Sequence, residues 1–260
     1  MSSDFLEQIS IAIKRNLRLL AAKYETADFM KEDPSQFMHR YTEPLDVEIT
    51  AFLAANLAFG RRSCILNCLE KICQEMGDSP TEWLLSTRFE KIFSDSGKSF
   101  YRIYSHRNMR AMCETLRQLT VEYGSLGAYC RRCYENGNCA KQLGRLAAVI
   151  ADRFPDACKP LISNGKTSAN KRLNLFLRWM VRRNSPVDTG LWDWYPAEKL
   201  LMPLDTHVVA VAKEFGLVEQ NATPNLKLAI RLTDIMSKIF PGDPLKGDFA
   251  LFGHGVMVSG

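Results

Sequence analysis

Residues 171–183 read KRLNLFLRWMVRR and, beyond a loop that holds two tryptophans, residues 202–217 read MPLDTHVVAVAKEFGL. Apolar residues recur in both stretches every three or four positions, which is the spacing of a helix with one buried face. Asp205 and Thr206 can each cap the start of the second helix, and Gly216 is a typical stop at its end. The two stretches therefore predict two helices joined by a loop.

The same spacing continues through most of the chain, and no comparable run alternates with a period of two. Proline, glycine and aspartate clusters separate the periodic segments. The predicted helical segments are 5–24, 45–58, 63–76, 110–123, 142–153, 168–183, 206–215 and 226–239. The sequence therefore predicts an all-α fold, and it contains no repeat or long linker that would mark independent domains.

The composition is that of a folded protein with a small excess of positive charge. The chain has 260 residues, 46% of them hydrophobic, and its 34 Lys and Arg against 29 Asp and Glu give a formal net charge of +5. Such an excess neither indicates nor excludes a nucleic-acid partner. A chain of this size can bury a core without disulfides, and charge interrupts its first segment too early for a signal or membrane span. We therefore expect a cytoplasmic protein whose eight cysteines are free thiols.

Basic residues cluster at Arg61 and Arg62 and again between Lys166 and Arg183. Such clusters are most often a solvated helix face. Yet Lys171 lies among leucine and phenylalanine residues, and apolar surroundings lower the pKa of a lysine. Two interpretations therefore remain open for the second cluster, surface charge or a reactive lysine.

The PLDTHV pattern at 203–208 resembles the catalytic-aspartate segment of the helix-hairpin-helix DNA glycosylases, in which an aspartate caps a helix and also takes part in the chemistry. Lys171 lies where the archaeal 8-oxoguanine DNA glycosylases carry a lysine that opens a helix. The resemblance therefore implies that Lys171 and Asp205 are catalytic. It also implies a monomer that acts on damaged duplex DNA without a cofactor, a metal or a membrane. The whole chain further resembles an uncharacterised bacterial family that shares the KRLN and RWMVR segments.

The same resemblance implies a two-lobed helical fold with a central cleft. One lobe would span 44–185, and the other would combine 1–43 with 186–260. In the segment DFALFGHG, Asp248 and Phe252 are expected to hold the extruded base, and their spacing places them on one helix face. Without the resemblance, these two residues would be interpreted as a helix cap and a core residue. The candidates to stack on the base in addition to Phe252 are Trp192 and Trp194.

Phosphate contacts are expected from Gly165, Lys166, Arg61 and Arg62. The segment SNGKT at 163–167 has one glycine where the glycosylases have a Gly-x-Gly turn, but Gly165 and Lys166 can still hold a phosphate at a helix N-terminus. The segment NLAFGRR that contains Arg61 and Arg62 lacks the glutamine with which glycosylases probe the base. Arg61 is the residue available for that role.

Cleavage of an N-glycosidic bond passes through a sugar with positive charge at C1′, so the site needs a fixed negative charge and a nucleophile. We expect Asp205 to supply the charge. The neutral Lys171 amine would attack C1′, expel the base and form a Schiff base from which the 3′ phosphate is eliminated. Lys199 is the second candidate for the nucleophile.

Metal binding is not expected, although Cys130, Cys133 and Cys139 resemble part of an iron–sulfur spacing, because a fourth upstream cysteine is missing.

Two alternatives to an enzyme remain. A module without catalytic activity would bind nucleic acid through the same basic cleft. A helical protein-interaction module would use the aromatic segment 192–195 as its contact.

Overall fold

Helices make up most of the chain that the structure describes. The computed structural model describes residues 10–137, 144–163 and 167–258. The α-helices are α1 (Ile11–Tyr24), α2 (Ala27–Met30), α3 (Pro44–Leu57), α4 (Arg62–Met76), α5 (Pro80–Leu85), α6 (His106–Tyr123), α7 (Leu126–Glu135), α8 (Arg145–Ala151), α9 (Lys171–Val181), α10 (Thr206–Glu214), α11 (Leu226–Ile239) and α12 (Lys246–Val258). The 3₁₀ helices are Pro34–Arg40, Arg88–Lys91, Asp156–Cys158 and Ala197–Lys199. The all-α prediction is confirmed.

A small antiparallel hairpin is the exception among the described residues. It consists of β1 (Ser99–Tyr101) and β2 (Tyr104–Ser105). The predicted helical segments correspond to α1, α3, α4, α6 and α8 to α11, whereas α2, α5 and α7 were not predicted and α12 was expected only from the helix face assigned to Asp248 and Phe252. Gly216, predicted as a stop, has a φ of +65° just beyond α10, and the Leu217 amide donates to the Ala212 carbonyl at 2.9 Å. This left-handed turn ends the helix as glycine permits.

The described residues form two compact units. The first combines the chain up to Phe29 with the chain from 166 onward, and it contains α1 and α9 to α12. The second spans 30–165 and contains α3 to α8 with the hairpin. The helix that begins at Lys171 and the helix that follows Asp205 therefore belong to the same unit.

Helix α3 is the buried helix of the second unit. It is apolar on nearly every side, and even its acidic residues Asp46 and Glu48 are only 5% exposed. Asp46 accepts the Thr81 amide at 2.7 Å, while Glu48 accepts the Leu126 amide at 2.8 Å, so each carboxylate caps the start of a neighbouring helix.

No helix in the described ranges is both long and apolar enough to cross a membrane.

In the first unit, α1 and α12 pack closely, and α12 also packs against α10. The buried face of α1 presents Leu17, Ala21 and Tyr24 at helical spacing. Gly253 of α12 lies directly against the Tyr24 side chain, since a Cβ atom built on Gly253 would be 2.5 Å from the Tyr24 Cγ. The absence of a side chain at Gly253 therefore allows the two helices to approach.

Replacing Gly253 with Ala is expected to lower the free energy of unfolding by about 1–3 kcal/mol, because the added methyl group overlaps the Tyr24 Cβ and Cγ, the end of that side chain nearest the backbone of α1. Urea unfolding followed by circular dichroism measures the change. Gly97→Ala is the matched control, since an added Cβ there has no atom within 4 Å. Equal stability of both variants would show that α1 and α12 can separate without cost.

Candidate active site

Lys171 is the first residue of α9. Asn170 precedes it with a φ of 44°, in the left-handed region that non-glycine residues seldom adopt, and its side chain makes no capping hydrogen bond within the described residues. Lys171 therefore stands at the very start of α9, directly after a residue in an unfavourable backbone conformation.

Asp205 is the N-cap of α10, and its Oδ1 accepts the Val208 amide at 2.9 Å. Its second carboxylate oxygen, Oδ2, lies 2.7 Å from the Lys171 Nζ. The Lys171 side chain is 31% exposed and that of Asp205 is 14% exposed, so the ion pair is partly shielded but open to an incoming molecule. One carboxylate thus joins the N-termini of two helices.

Helix α12 adds an aromatic ring to this pair. The Lys171 Nζ lies 5.8 Å from the centre of the Phe252 ring, within the range of a cation–π contact. Phe252 is partly buried and its ring meets the Phe29 ring edge to face, with 6.3 Å between centroids. Lysine, carboxylate and aromatic ring therefore meet in one place, and the three side chains come from α9, the start of α10 and α12.

Asp248 lies one turn before Phe252 on α12 and is 3% exposed. Its Oδ2 accepts a hydrogen bond from Arg178 of α9. Burial raises the pKa of Asp248 to about 6, although the charge and the hydrogen bond of Arg178 lower it. The charge of Asp205 also raises this pKa, and the charge of Lys171 lowers it. Asp248 therefore lies close enough to the Lys171–Asp205 pair to respond to its charges.

Arg178 belongs to a buried ion-pair network that the sequence did not predict. Its Nε donates to the Asp188 Oδ1 at 3.2 Å, and Asp188 also accepts from Arg182. Arg182 continues the network to Asp243 at 2.8 Å and to Glu25 at 2.7 Å. Burial raises the pKa of Asp188, and the two arginines oppose this shift.

The sequence indicates the arginines of this network but not the carboxylates that bind them. Arginines at 178 and 182 in an otherwise apolar helical stretch indicate cations on a buried face, because four residues separate them. Their partners lie in a loop and on another helix far along the chain, and sequence spacing carries no information about such contacts.

The two tryptophans pack against α9. Trp192 is 3% exposed, its ring meets Phe176 edge to face at 5.3 Å, and its amide donates to the Met180 carbonyl at 2.7 Å. Trp194 is partly exposed and stacks on Trp192 at 5.5 Å. Of these two predicted stacking residues, Trp194 has the more accessible ring.

Four phosphate-contact residues and an alternative nucleophile were also predicted. Arg61 and Arg62 belong to the second unit, at the start of α4, and Arg62 pairs with Glu32 at 3.0 Å. Gly165 and Lys166 lie outside the described residues. Lys199, the alternative nucleophile, lies in the 3₁₀ helix before α10.

Among the described residues, Cys64, Cys68, Cys73, Cys113, Cys133 and Cys158 carry free thiols, as predicted. Cys130 is buried in α7 and Cys133 lies in the same helix, while Cys139 lies outside the described residues. Across the described ranges, no three His, Cys, Asp or Glu side chains are grouped so that they could hold a metal ion.

Comparison with known proteins gives one match. A family model described as "Protein of unknown function (DUF2400)" matches residues 33–257, a range that includes Lys171, Asp205 and Asp248. No curated protein and no solved structure matches the chain.

Proposed function

The chain belongs to the DUF2400 family, and we propose that it is a DNA glycosylase with lyase activity that uses Lys171 as its nucleophile. The observation that carries the proposal is the 2.7 Å contact between the Lys171 Nζ and the Asp205 Oδ2, beside the Phe252 ring. An amine, a carboxylate and an aromatic face are the groups that base excision through a Schiff base requires. The resemblance of residues 203–208 to the catalytic-aspartate segment of the helix-hairpin-helix glycosylases supports the same assignment.

The ion pair supplies the proton transfer that activates the amine. A lysine ammonium cannot attack a sugar, because its nitrogen lone pair is bound to a proton. Asp205 is within hydrogen-bonding distance of Lys171 and can accept that proton.

Base release then follows at C1′. The lone pair of the Lys171 nitrogen forms a bond to C1′ while the glycosidic C1′–N bond breaks, and the departing base takes up the proton held by Asp205. The carboxylate is thereby restored as positive charge develops on the sugar and the new amine. This order uses Asp205 first as a proton acceptor and then as the fixed negative charge.

Strand cleavage completes the reaction. The C1′–O4′ bond opens with protonation of O4′, which leaves a protonated imine between C1′ and the lysine nitrogen. Loss of a proton from C2′ and departure of the 3′ phosphate with its electron pair break the C3′–O bond. Water then hydrolyses the imine and frees Lys171.

The base is expected to be an oxidised purine extruded from damaged duplex DNA. The Phe252 ring offers a stacking surface, and Asp248 on the same face of α12 offers a hydrogen-bond acceptor for base N–H groups. Neither a cofactor nor a metal has a part in these steps.

Borohydride trapping tests the proposal. The protein is incubated with duplexes that carry an abasic site or 8-oxoguanine, with borohydride to reduce the imine and without it to follow strand cleavage. We expect a covalent adduct with both duplexes. No adduct with either duplex, alongside salt-sensitive binding, would instead favour a nucleic-acid-binding module, and no binding at low salt would favour a protein-interaction module.

Two substitutions separate the capping role of Asp205 from its chemical role. Asp205→Asn keeps an oxygen that can accept the Val208 amide, so stability should change by less than about 1 kcal/mol, whereas Asp205→Ala should lose about 1 kcal/mol with the cap. Both variants should excise 8-oxoguanine about a hundredfold more slowly or worse. Single-turnover excision and urea unfolding provide the two readouts. Full activity in Asp205→Asn would show that Asp205 acts only as a helix cap.

A further inference from the structure

One face of α9 carries a row of polar side chains. Lys171, Asn174 and Arg178 follow one another at spacings of three or four residues, which aligns them along the helix, and Arg182 is the residue at its C-terminal end. Asn174, Arg178 and Arg182 are at most 2% exposed, although α9 is otherwise apolar on its buried side. The proposed nucleophile is therefore the exposed end of a row that runs into the interior.

Arg178 links this row to Asp248. Its Nη1 donates to the Asp248 Oδ2 and its Nε donates to the Asp188 Oδ1. A guanidinium is planar and its donors have fixed directions, so two carboxylates bound to it are fixed relative to each other. The position of the Asp248 carboxylate therefore depends on where Asp188 holds Arg178.

Asp188 is itself fixed from its other side. It is 5% exposed and also accepts from Arg182, which Asp243 and Glu25 hold in turn. The Phe249 ring lies 4.4 Å from the Arg178 guanidinium and 5.2 Å from that of Arg182, which closes the network against α12. Each carboxylate in this chain of contacts is therefore bound to at least one arginine.

Packing alone does not explain such a network. Taking charges out of water is costly, and well-packed apolar residues often give the same or greater stability. What the arginines add is a defined geometry for the carboxylates they bind. The last carboxylate of the network is that of Asp248, which lies one turn from Phe252 and interacts electrostatically with Lys171 and Asp205.

We propose that Arg178 and Asp188 are positioning residues that hold the Asp248 carboxylate in place to receive the extruded base. The inference rests on the proposed function and adds to it two residues that act through Asp248 and need not touch the substrate. It separates base recognition, which requires Asp248, from lyase chemistry, which requires Lys171 and Asp205.

Two assays distinguish these steps. Excision of 8-oxoguanine requires the base to be held, whereas borohydride trapping on an abasic duplex does not, because no base is present. For Arg178→Lys and Asp188→Asn we expect excision to fall about tenfold or more and abasic-site trapping to change by less than about threefold. The matched control is Glu219→Gln, which loses a surface ion pair with Arg231 in the same unit and no contact of the network, and both of its activities should stay within about twofold of wild type.

A double substitution tests whether Arg178 acts through Asp248. Asp248→Asn should lower excision, and adding Arg178→Lys to it should cause no further loss, since the carboxylate to be positioned is already gone. All assays are run where circular dichroism shows each variant folded. If Asp188→Asn does not fold, Arg178→Lys, which keeps the positive charge, carries the test.

Three outcomes would overturn the inference. Excision and trapping that fall together in Arg178→Lys would assign Arg178 to the general structure of the site. Additive losses in the double variant would show that Arg178 acts independently of Asp248. Wild-type protein that traps abasic DNA but does not excise 8-oxoguanine would show that Asp248 does not hold this base for excision. Wild-type protein that forms no trapped adduct would overturn the proposed function itself. This outcome is distinguishable from the others because it is observed without any substitution.

Discussion

Lys171→Ala is expected to abolish the borohydride-trapped adduct and to slow cleavage of an abasic-site duplex about a thousandfold or more. Lys171 is the lysine that contacts Asp205, at 2.7 Å, so its loss removes the amine that forms the imine. Alanine at this position cannot form a covalent intermediate. Gel electrophoresis of the reduced reaction measures the adduct, and single-turnover kinetics measure the cleavage.

Lys199→Ala is the matched control for this loss, because Lys199 is the second candidate for the nucleophile and lies closer to Asp205 in sequence. We expect it to trap DNA as well as wild type does. Lys171→Ala should remain folded, since a partly exposed ion pair contributes no more than about 1 kcal/mol. Retained trapping in Lys171→Ala together with its loss in Lys199→Ala would assign the nucleophile to Lys199.

The largest effect on stability is expected at Arg178. Arg178→Met should lower the free energy of unfolding by about 3–5 kcal/mol, because it leaves the buried Asp248 carboxylate without its cationic partner. Asp188 keeps Arg182, so most of the cost arises at Asp248. Urea unfolding should show a lower midpoint with an unchanged slope.

Glu219→Gln provides the comparison for that result, because its ion pair with Arg231 lies at the surface of the same unit. We expect its unfolding midpoint to match that of wild type. An Arg178→Met midpoint equally close to wild type would show that the buried network does not hold α9 and α12 together.

The helices that sequence predicted are those with a long and regular apolar spacing. Helices α9 and α10 are of this kind, and the glycine stop after α10 was also visible in sequence. Helix α5 spans only Pro80–Leu85, too few residues for a period to emerge. Helix α12 packs against both α1 and α10, so its apolar residues lie on more than one side and give no single stripe.

The candidate site was partly predictable for a similar reason. Lys171 and Asp205 each lie at the start of a helix that sequence predicts, and the family resemblance points to both. The structure adds the 2.7 Å contact between them, which depends on how α9 and α10 pack. Their chemistry stays a prediction.

The Arg178 network was beyond sequence reasoning. An arginine within an apolar helix indicates that a partner is needed, because a buried charge without one is costly. Which carboxylate provides it depends on tertiary packing, and Asp188 and Asp248 lie on opposite sides of α10 and α11 in the sequence. Only the fold brings them to one guanidinium.

The most direct test of the proposed chemistry is to locate the covalent bond. Wild-type protein trapped on an abasic-site duplex is digested with protease and nuclease, and the modified peptide is identified by mass spectrometry. We expect the reduced sugar remnant on the side chain of Lys171. A remnant on any other residue, or no modified peptide at all, would contradict the assignment of Lys171 as the nucleophile.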